Sequence, residues 1–272
     1  MRRAAWKPKQ PRWALFCGIA AVVSLALYLV AGLFRPPEPG RGAGLWLGVA
    51  ATVLFAVEAA YPARRKLLAK PLGNARQWIQ SHIWLGLLAA LFVLVHEGFR
   101  KPGGTIGWLL LVLTIWVTIS GLLGVFVQKY YPRALARNLS VEALFERIPE
   151  LVGRLPQEAE KLIDGGSDVL LGFYKTEVAP ALAGIAPSWA YLADVRGGRD
   201  ERLLAFTRIL PFLPDEERPK LEDLKTIYVE KLELDAHYSV QKAMRAWTLL
   251  HVPPAALLLG LTIVHVVTFF LY

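Results

Sequence analysis

Five histidines, His82, His96, His237, His251 and His265, and one cysteine, Cys17, are the only imidazole and thiol groups in the chain. A lone thiol excludes a disulfide framework, a cysteine-held iron–sulfur cluster, a Cys-type structural zinc site and a thioether-attached cofactor. Redox or metal chemistry therefore falls to histidine. Two segments carry it at the same spacing: HIWLGLLAALFVLVH runs from His82 to His96 and HVPPAALLLGLTIVH from His251 to His265, 14 positions in each case. On an α-helix, 14 residues turn through about 1400°, about 40° short of four turns, and climb about 21 Å. Each pair therefore shares one helix face at two heights.

The elements that must position them are apolar. The chain is 55% hydrophobic, 19% charged and has a mean hydropathy of +0.39, too apolar for a soluble domain. Apolar runs of about 20 residues, the length needed to cross about 30 Å of hydrocarbon, predict transmembrane helices near residues 13–34, 42–61 (interrupted by Glu58), 77–98, 106–128 and 246–272. The first run exceeds a signal-peptide core and lacks a small-x-small cleavage site, so it is expected to be retained. Five Lys/Arg precede the first span and five lie between the second and third, against two in each of the first and third connections. Positive loops stay inside. The amino terminus is thus expected in the cytoplasm and Tyr272 outside, in a bacterial inner membrane.

Residues 129–245 form the one large polar segment, expected to be a cytoplasmic helical insert between the fourth and fifth spans. It holds 17 basic and 19 acidic residues, so the overall +9 comes from the membrane-flanking remainder and gives a nucleic-acid partner no support. Breaks are predicted at Gly165-Gly166, Pro187, Gly197-Gly198 and Pro211 to Pro219, a helix capped by Ser140 is expected to begin at Val141, and a charged run continues from Leu221 to Leu250 without a breaker. No dinucleotide fingerprint, phosphate loop or internal repeat is present.

In this topology the third and fifth spans run in the same direction, so His82 faces His251 and His96 faces His265. Depth agrees, since His82 follows Arg76 by six residues and His251 follows Arg245 by six. Ionisable groups inside hydrocarbon are costly and persist mainly where they function or pair. Two facing imidazoles suit axial ligation of a haem iron, as neutral ligands in a low-dielectric interior. Arg76 or Arg245 on one side, and Arg100 or Lys101 on the other, are positioned for the propionates. Gly86, Ala89 and Ala90, matched by Ala255, Ala256 and Gly260, would let a flat macrocycle approach, and Pro253-Pro254 is expected to bend the last helix. Pairs about 21 Å apart cannot converge on one zinc. His237, among charged residues, reads as a half-exposed helix histidine, with a proton or quinone contact as the alternative. Glu58 is expected to reach towards Arg64 or Arg65, or else to serve as a quinol proton acceptor. Cys17 reads as apolar filler and Trp13, Trp46, Trp78, Trp108 and Trp247 as interface anchors.

The paired histidines resemble those of the di-haem membrane cytochromes b, the group that includes b561-type and ferric-reductase-like electron carriers. More closely, GNARQWIQSHIWLGLLAALFVLVHEGF, ISGLLGVFVQKYYPR and HYSVQKAMRAWTLLHVPPAALLLGLTIVH resemble bacterial cytochrome b/b6-domain membrane proteins, over residues 70–135 and 220–272. The resemblance implies an all-α di-haem bundle with one haem b on His82 and His251 and a second on His96 and His265. It implies electron transfer between the quinone pool or a cytoplasmic donor and an outside partner, a multihaem cytochrome c or an iron–sulfur protein, with quinone as a further candidate ligand. A ferric reductase would add a flavin and nicotinamide domain, whose glycine fingerprints are missing. A subunit with its own quinone site, and a haem transporter or membrane scaffold, are the competing readings.

Overall fold

Long runs of Leu, Ala, Val and Ile with no internal charge satisfy every backbone group locally only as helices, and helices are what they form. The computed structural model describes residues 11–34, 38–67, 75–140 and 143–271, with backbone alone at Pro11, 61–67, 75–76 and Arg137. Among the described residues every regular element is helical. Five helices are long and apolar enough to cross a membrane, and the chain is a multi-pass membrane protein. These are α1 (Pro11–Phe34), α2 (Gly42–Leu67), α3 (Ala75–His96), α4 (Gly104–Asn138) and, at the end of the chain, α10 (Arg218–Leu271). Between α4 and α10 come α5 (Ile148–Ile163), α6 (Asp168–Phe173), α7 (Ala179–Leu182), α8 (Ala190–Ala193) and α9 (Arg199–Ile209).

The chain divides into two compact units, one of residues 1–124 with 249–272, the other of residues 125–248. In the first, α1, α2 and α3 pack on Cys17, Leu47, Ala51, Leu85, Leu88, Phe92 and Val95. Elsewhere their large apolar side chains face outward, Phe16, Val22 and Leu33 among them, as lipid-facing surfaces do. The second unit has a water-soluble kind of core. Ile148, Val152, Leu155, Ala159 and Ile163 are the buried stripe of α5, at the three-and-four spacing of an amphipathic helix, and they meet Leu170, Val178, Leu182, Leu221, Leu224 and Leu234. Midway through this unit α10 is enclosed on every side, buried at each residue from Lys231 to His237.

Several boundaries differ from expectation. The third span ends at His96, not near residue 98: the Gly98 N–H donates to Val95 O and the Phe99 N–H to Leu94 O, both at 3.0 Å, with Gly98 at φ +65°. This two-bond C-terminal cap closes the helix and fixes His96 in its last position. The fourth helix continues ten residues past 128, through Pro132, to Asn138. The last helix begins at Arg218 and passes Pro253 and Pro254 without interruption. Ser140 caps no helix. Its N–H donates to Glu233 Oε2 (2.7 Å), Ala143 and Leu144 are irregular, and α5 starts at Ile148 with Pro149 in its first turn; Val141 and Glu142 lie outside the described residues.

Candidate functional site

Proline supplies the first clue to how α10 is held. Pro254 has no N–H, so the carbonyl four residues earlier, on Leu250, lacks its helical donor. Trp116 Nε1–H of α4 donates to that oxygen at 2.9 Å. One turn further along the same face of α4, Ser120 Oγ lies 2.9 Å from His251 Nδ1. Beside it stands Gly121, where a Cβ would come within 3.3 Å of the His251 ring. Three residues of α4 thus seat the start of the apolar half of α10.

The His251 ring lies 6.4 Å, centroid to centroid, from that of His82, with the planes at 87°. His82 Nδ1 in turn pairs with Glu58 Oε2 of α2, a carboxylate only 13% exposed. Glu58 therefore does not reach out along its own helix, as the charge pattern suggested. Arg64 and Arg65 side chains lie outside the described residues.

At the second level, His96 Nδ1 lies 2.8 Å from Gly44 O. Its ring rests on Gly48, where a Cβ would come within 2.6 Å of Nδ1. Only glycine fits there. His265 of α10 is close enough to His96 and Glu97 to feel the charge of both. The first histidines face each other and His265 lies within electrostatic reach of His96, so within this unit α3 and α10 run parallel.

A carbonyl oxygen only accepts, so His96, bonded to Gly44 O, carries its proton on Nδ1. Ser120 Oγ meets both His251 Nδ1 at 2.9 Å and Val117 O at 3.2 Å, and Glu58 pairs with His82 Nδ1. Three of the four rings are therefore contacted at Nδ1, the side from which protein groups orient metal-binding histidines.

A linear nitrogen–metal–nitrogen arrangement, with bonds of about 2.0 Å and about 1.1 Å from each nitrogen to its ring centre, separates centroids by roughly 6.3 Å. The first pair has that separation. Edge-on ring pairs in ordinary cores span the same range, so the distance gains its meaning from the contacts at Nδ1. Room exists beside the rings: a Cβ at Gly86 or Gly260 would meet nothing within 4 Å.

Arg245 is paired with Glu146 and lies over the Phe145 ring, 4.1 Å from its centre. The Glu146 carboxyl is held below its usual range by its own backbone N–H and then by Arg245. Arg100 and Lys101 are exposed just after α3, and the Arg76 side chain lies outside the described residues. His237 is buried rather than half-exposed, at 7%, in the second unit.

The sequence reading missed Gly44, Gly48, Trp116, Ser120 and Gly121. The first two form a small-xxx-small pair, Gly44 to Gly48, a signal of close helix approach. Ser120 and Gly121 adjoin each other in ISGLLG. No family model, no curated protein and no solved structure matches this chain.

Proposed function

We propose that this chain is a membrane electron-transfer subunit that binds two b haems, one between His82 and His251 and one between His96 and His265. The observation that carries the proposal is the facing rings of His82 and His251 from parallel helices, each contacted at Nδ1 so that Nε2 would be the ligating atom. Bound haem would supply one-electron iron chemistry. The protein's own residues do the rest. Glu58, Ser120 and Gly44 fix ring orientation, Gly48 and Gly121 admit the rings, and the apolar faces of α3 and α10 exclude water.

The wider reading places the chain in a bacterial inner membrane, amino terminus inside. Its residues 129–245 would form a docking insert for a redox partner, a multihaem cytochrome c or an iron–sulfur protein. A stable core such as that around Ile148 and Leu224 is suited to that role. Electrons would pass between the quinone pool or a cytoplasmic donor and an outside acceptor.

A second reading, a quinone site of the chain's own, is favoured by one feature. A small cleft, with room for about one water, is lined by Val57, Glu58, Trp78, Ser81, His82 and Leu85, with polar groups at an otherwise apolar opening. A quinone analogue that shifts the spectrum of the purified protein would favour it.

The deciding experiment is pyridine-haemochrome quantification with a reduced-minus-oxidised spectrum on purified protein. Two haem b per chain are expected. His82→Ala or His251→Ala should remove one and His96→Ala or His265→Ala the other, and full retention in all four variants refutes the assignment.

A further inference from the structure

The two ring levels are anchored by different chemistry. At the first, His82 Nδ1 meets a carboxylate, Glu58, 13% exposed; at the second, His96 Nδ1 meets a peptide carbonyl, Gly44 O, at 2.8 Å. A carboxylate is the stronger acceptor. It draws the Nδ1 proton towards itself and gives the ring imidazolate character, which makes Nε2 a better donor to iron in its higher oxidation state. Its negative charge, poorly screened in an apolar interior, favours the same state. A carbonyl offers a dipole alone.

We infer that Glu58 is a positioning residue that holds the His82/His251 site at a lower reduction potential than the His96/His265 site, so that one electron shared between the two resides at the second. The inference rests on the di-haem reading. It adds to that reading an order of potentials, and hence a downhill direction along α3 from its start towards Gly98. Ser120, 2.9 Å from His251 Nδ1 on the opposite side of the first site, is neutral. Glu97 acts on His265 at the second site through space, whereas Glu58 is paired directly with a ring. The direct pairing leaves the asymmetry with Glu58.

The test is a potentiometric titration of the holoprotein followed in the visible spectrum, with the two sites assigned by His82→Ala and His96→Ala. Haemochrome content is measured first. In the parent protein the first site should titrate at the lower potential. Glu58→Gln keeps the shape and removes the charge. At a fixed ambient potential its reduced-to-oxidised ratio at the first site should rise about tenfold, a shift of 59 mV for one electron. The second site should stay in place. Glu58→Asp, which restores the charge, should recover part of the shift.

Unchanged potentials with both haems retained would overturn the inference and leave the di-haem reading standing, as would an equal shift at both sites. Loss of the first haem in both variants would make Glu58 a packing residue and overturn it too. A parent protein with no haem removes the di-haem reading itself, a failure visible before any titration begins.

Discussion

The two units use the same residue types to opposite ends. In the membrane unit polar side chains are sparse: Thr114 and Thr262 bond back to their own helices, while Glu58 meets His82 and Ser120 meets His251. In the second unit α10 buries a far richer polar set. Lys231 Nζ bonds Asp235 Oδ2 at 2.6 Å, and Asp235 Oδ1 accepts the Ala186 N–H at 3.0 Å. Glu233 accepts from Arg199 at 2.9 Å and from the Ser140 N–H at 2.7 Å. Apart from the Lys231–Asp235 pair within α10, each of these bonds ties a loop or short helix to α10. Buried charge in the second unit is structural stapling, whereas the buried carboxylate in the first is proposed to tune a site.

Histidine substitution should separate the two regions most sharply. His82→Ala is expected to halve the haem content of the purified protein, and His237→Ala to leave it whole, although both side chains sit on long helices among apolar neighbours. Haem loss in His237→Ala would erase the distinction between the units.

Next in size is the buried pair. Lys231 and Asp235 are 1% and 2% exposed, and removal of one partner of such a pair typically costs about 3–5 kcal/mol because the other is left uncompensated. Lys231→Met should lower the unfolding midpoint of the second unit by that order while both haems remain. The double variant Lys231→Met, Asp235→Leu should recover part of the loss. It cannot recover all, because the Ala186 N–H loses its acceptor.

Much of this was legible in the sequence, and what was not has a common cause. The five spans, the paired histidine levels, and the breaks at Gly165 and Gly198, both with positive φ, follow from local composition and helix periodicity. Glu58 was misplaced because the charge rule looks along one helix, to Arg64 and Arg65, while its partner His82 lies on the next. His237 read as half-exposed because Lys231, Asp235 and Lys242 around it suggest a solvated face. Nothing local says that Tyr131, Tyr191 and Val195 pack beside Ala236 and Val240, or that the Ala186 N–H reaches Asp235. Trp116 looked like an ordinary apolar residue of α4. Its role needs both the carbonyl freed by Pro254 and the knowledge that α4 docks there.

Smaller effects distinguish close packing from mere proximity at the rings. Gly48→Ala would drive a Cβ to 2.6 Å from His96 Nδ1, whereas Gly86→Ala would meet nothing within 4 Å. The first should reduce or distort the His96/His265 haem signal and the second should leave both signals intact. Trp116→Phe, which leaves Leu250 O without its donor on the exposed, lipid-facing side of the helices, should lower stability in detergent by about 1–3 kcal/mol. Both haems are expected to be retained, with only the first showing a perturbed spectrum.

The smallest expected effect concerns Arg245, a residue for which two roles compete. Its guanidinium pairs with Glu146 and stacks on Phe145, and Glu146 is held below the usual carboxylate range by its own N–H first and by Arg245 second. A depressed carboxyl contributes stability that is present above its unfolded value, about 4.3, and is lost as pH falls through the folded one. Arg245→Gln should therefore flatten the acid limb of the unfolding curve below about pH 4 without abolishing it, since the Glu146 N–H contribution survives. Both partners are exposed, so 0.5 M salt should produce much the same flattening in the parent protein. If Arg245 instead serves a haem propionate, the same substitution will shift a haem potential at neutral pH, where Glu146 stays ionised in either protein. A redox titration at pH 7 beside an acid unfolding series thus assigns Arg245 to one unit's chemistry or to the other's.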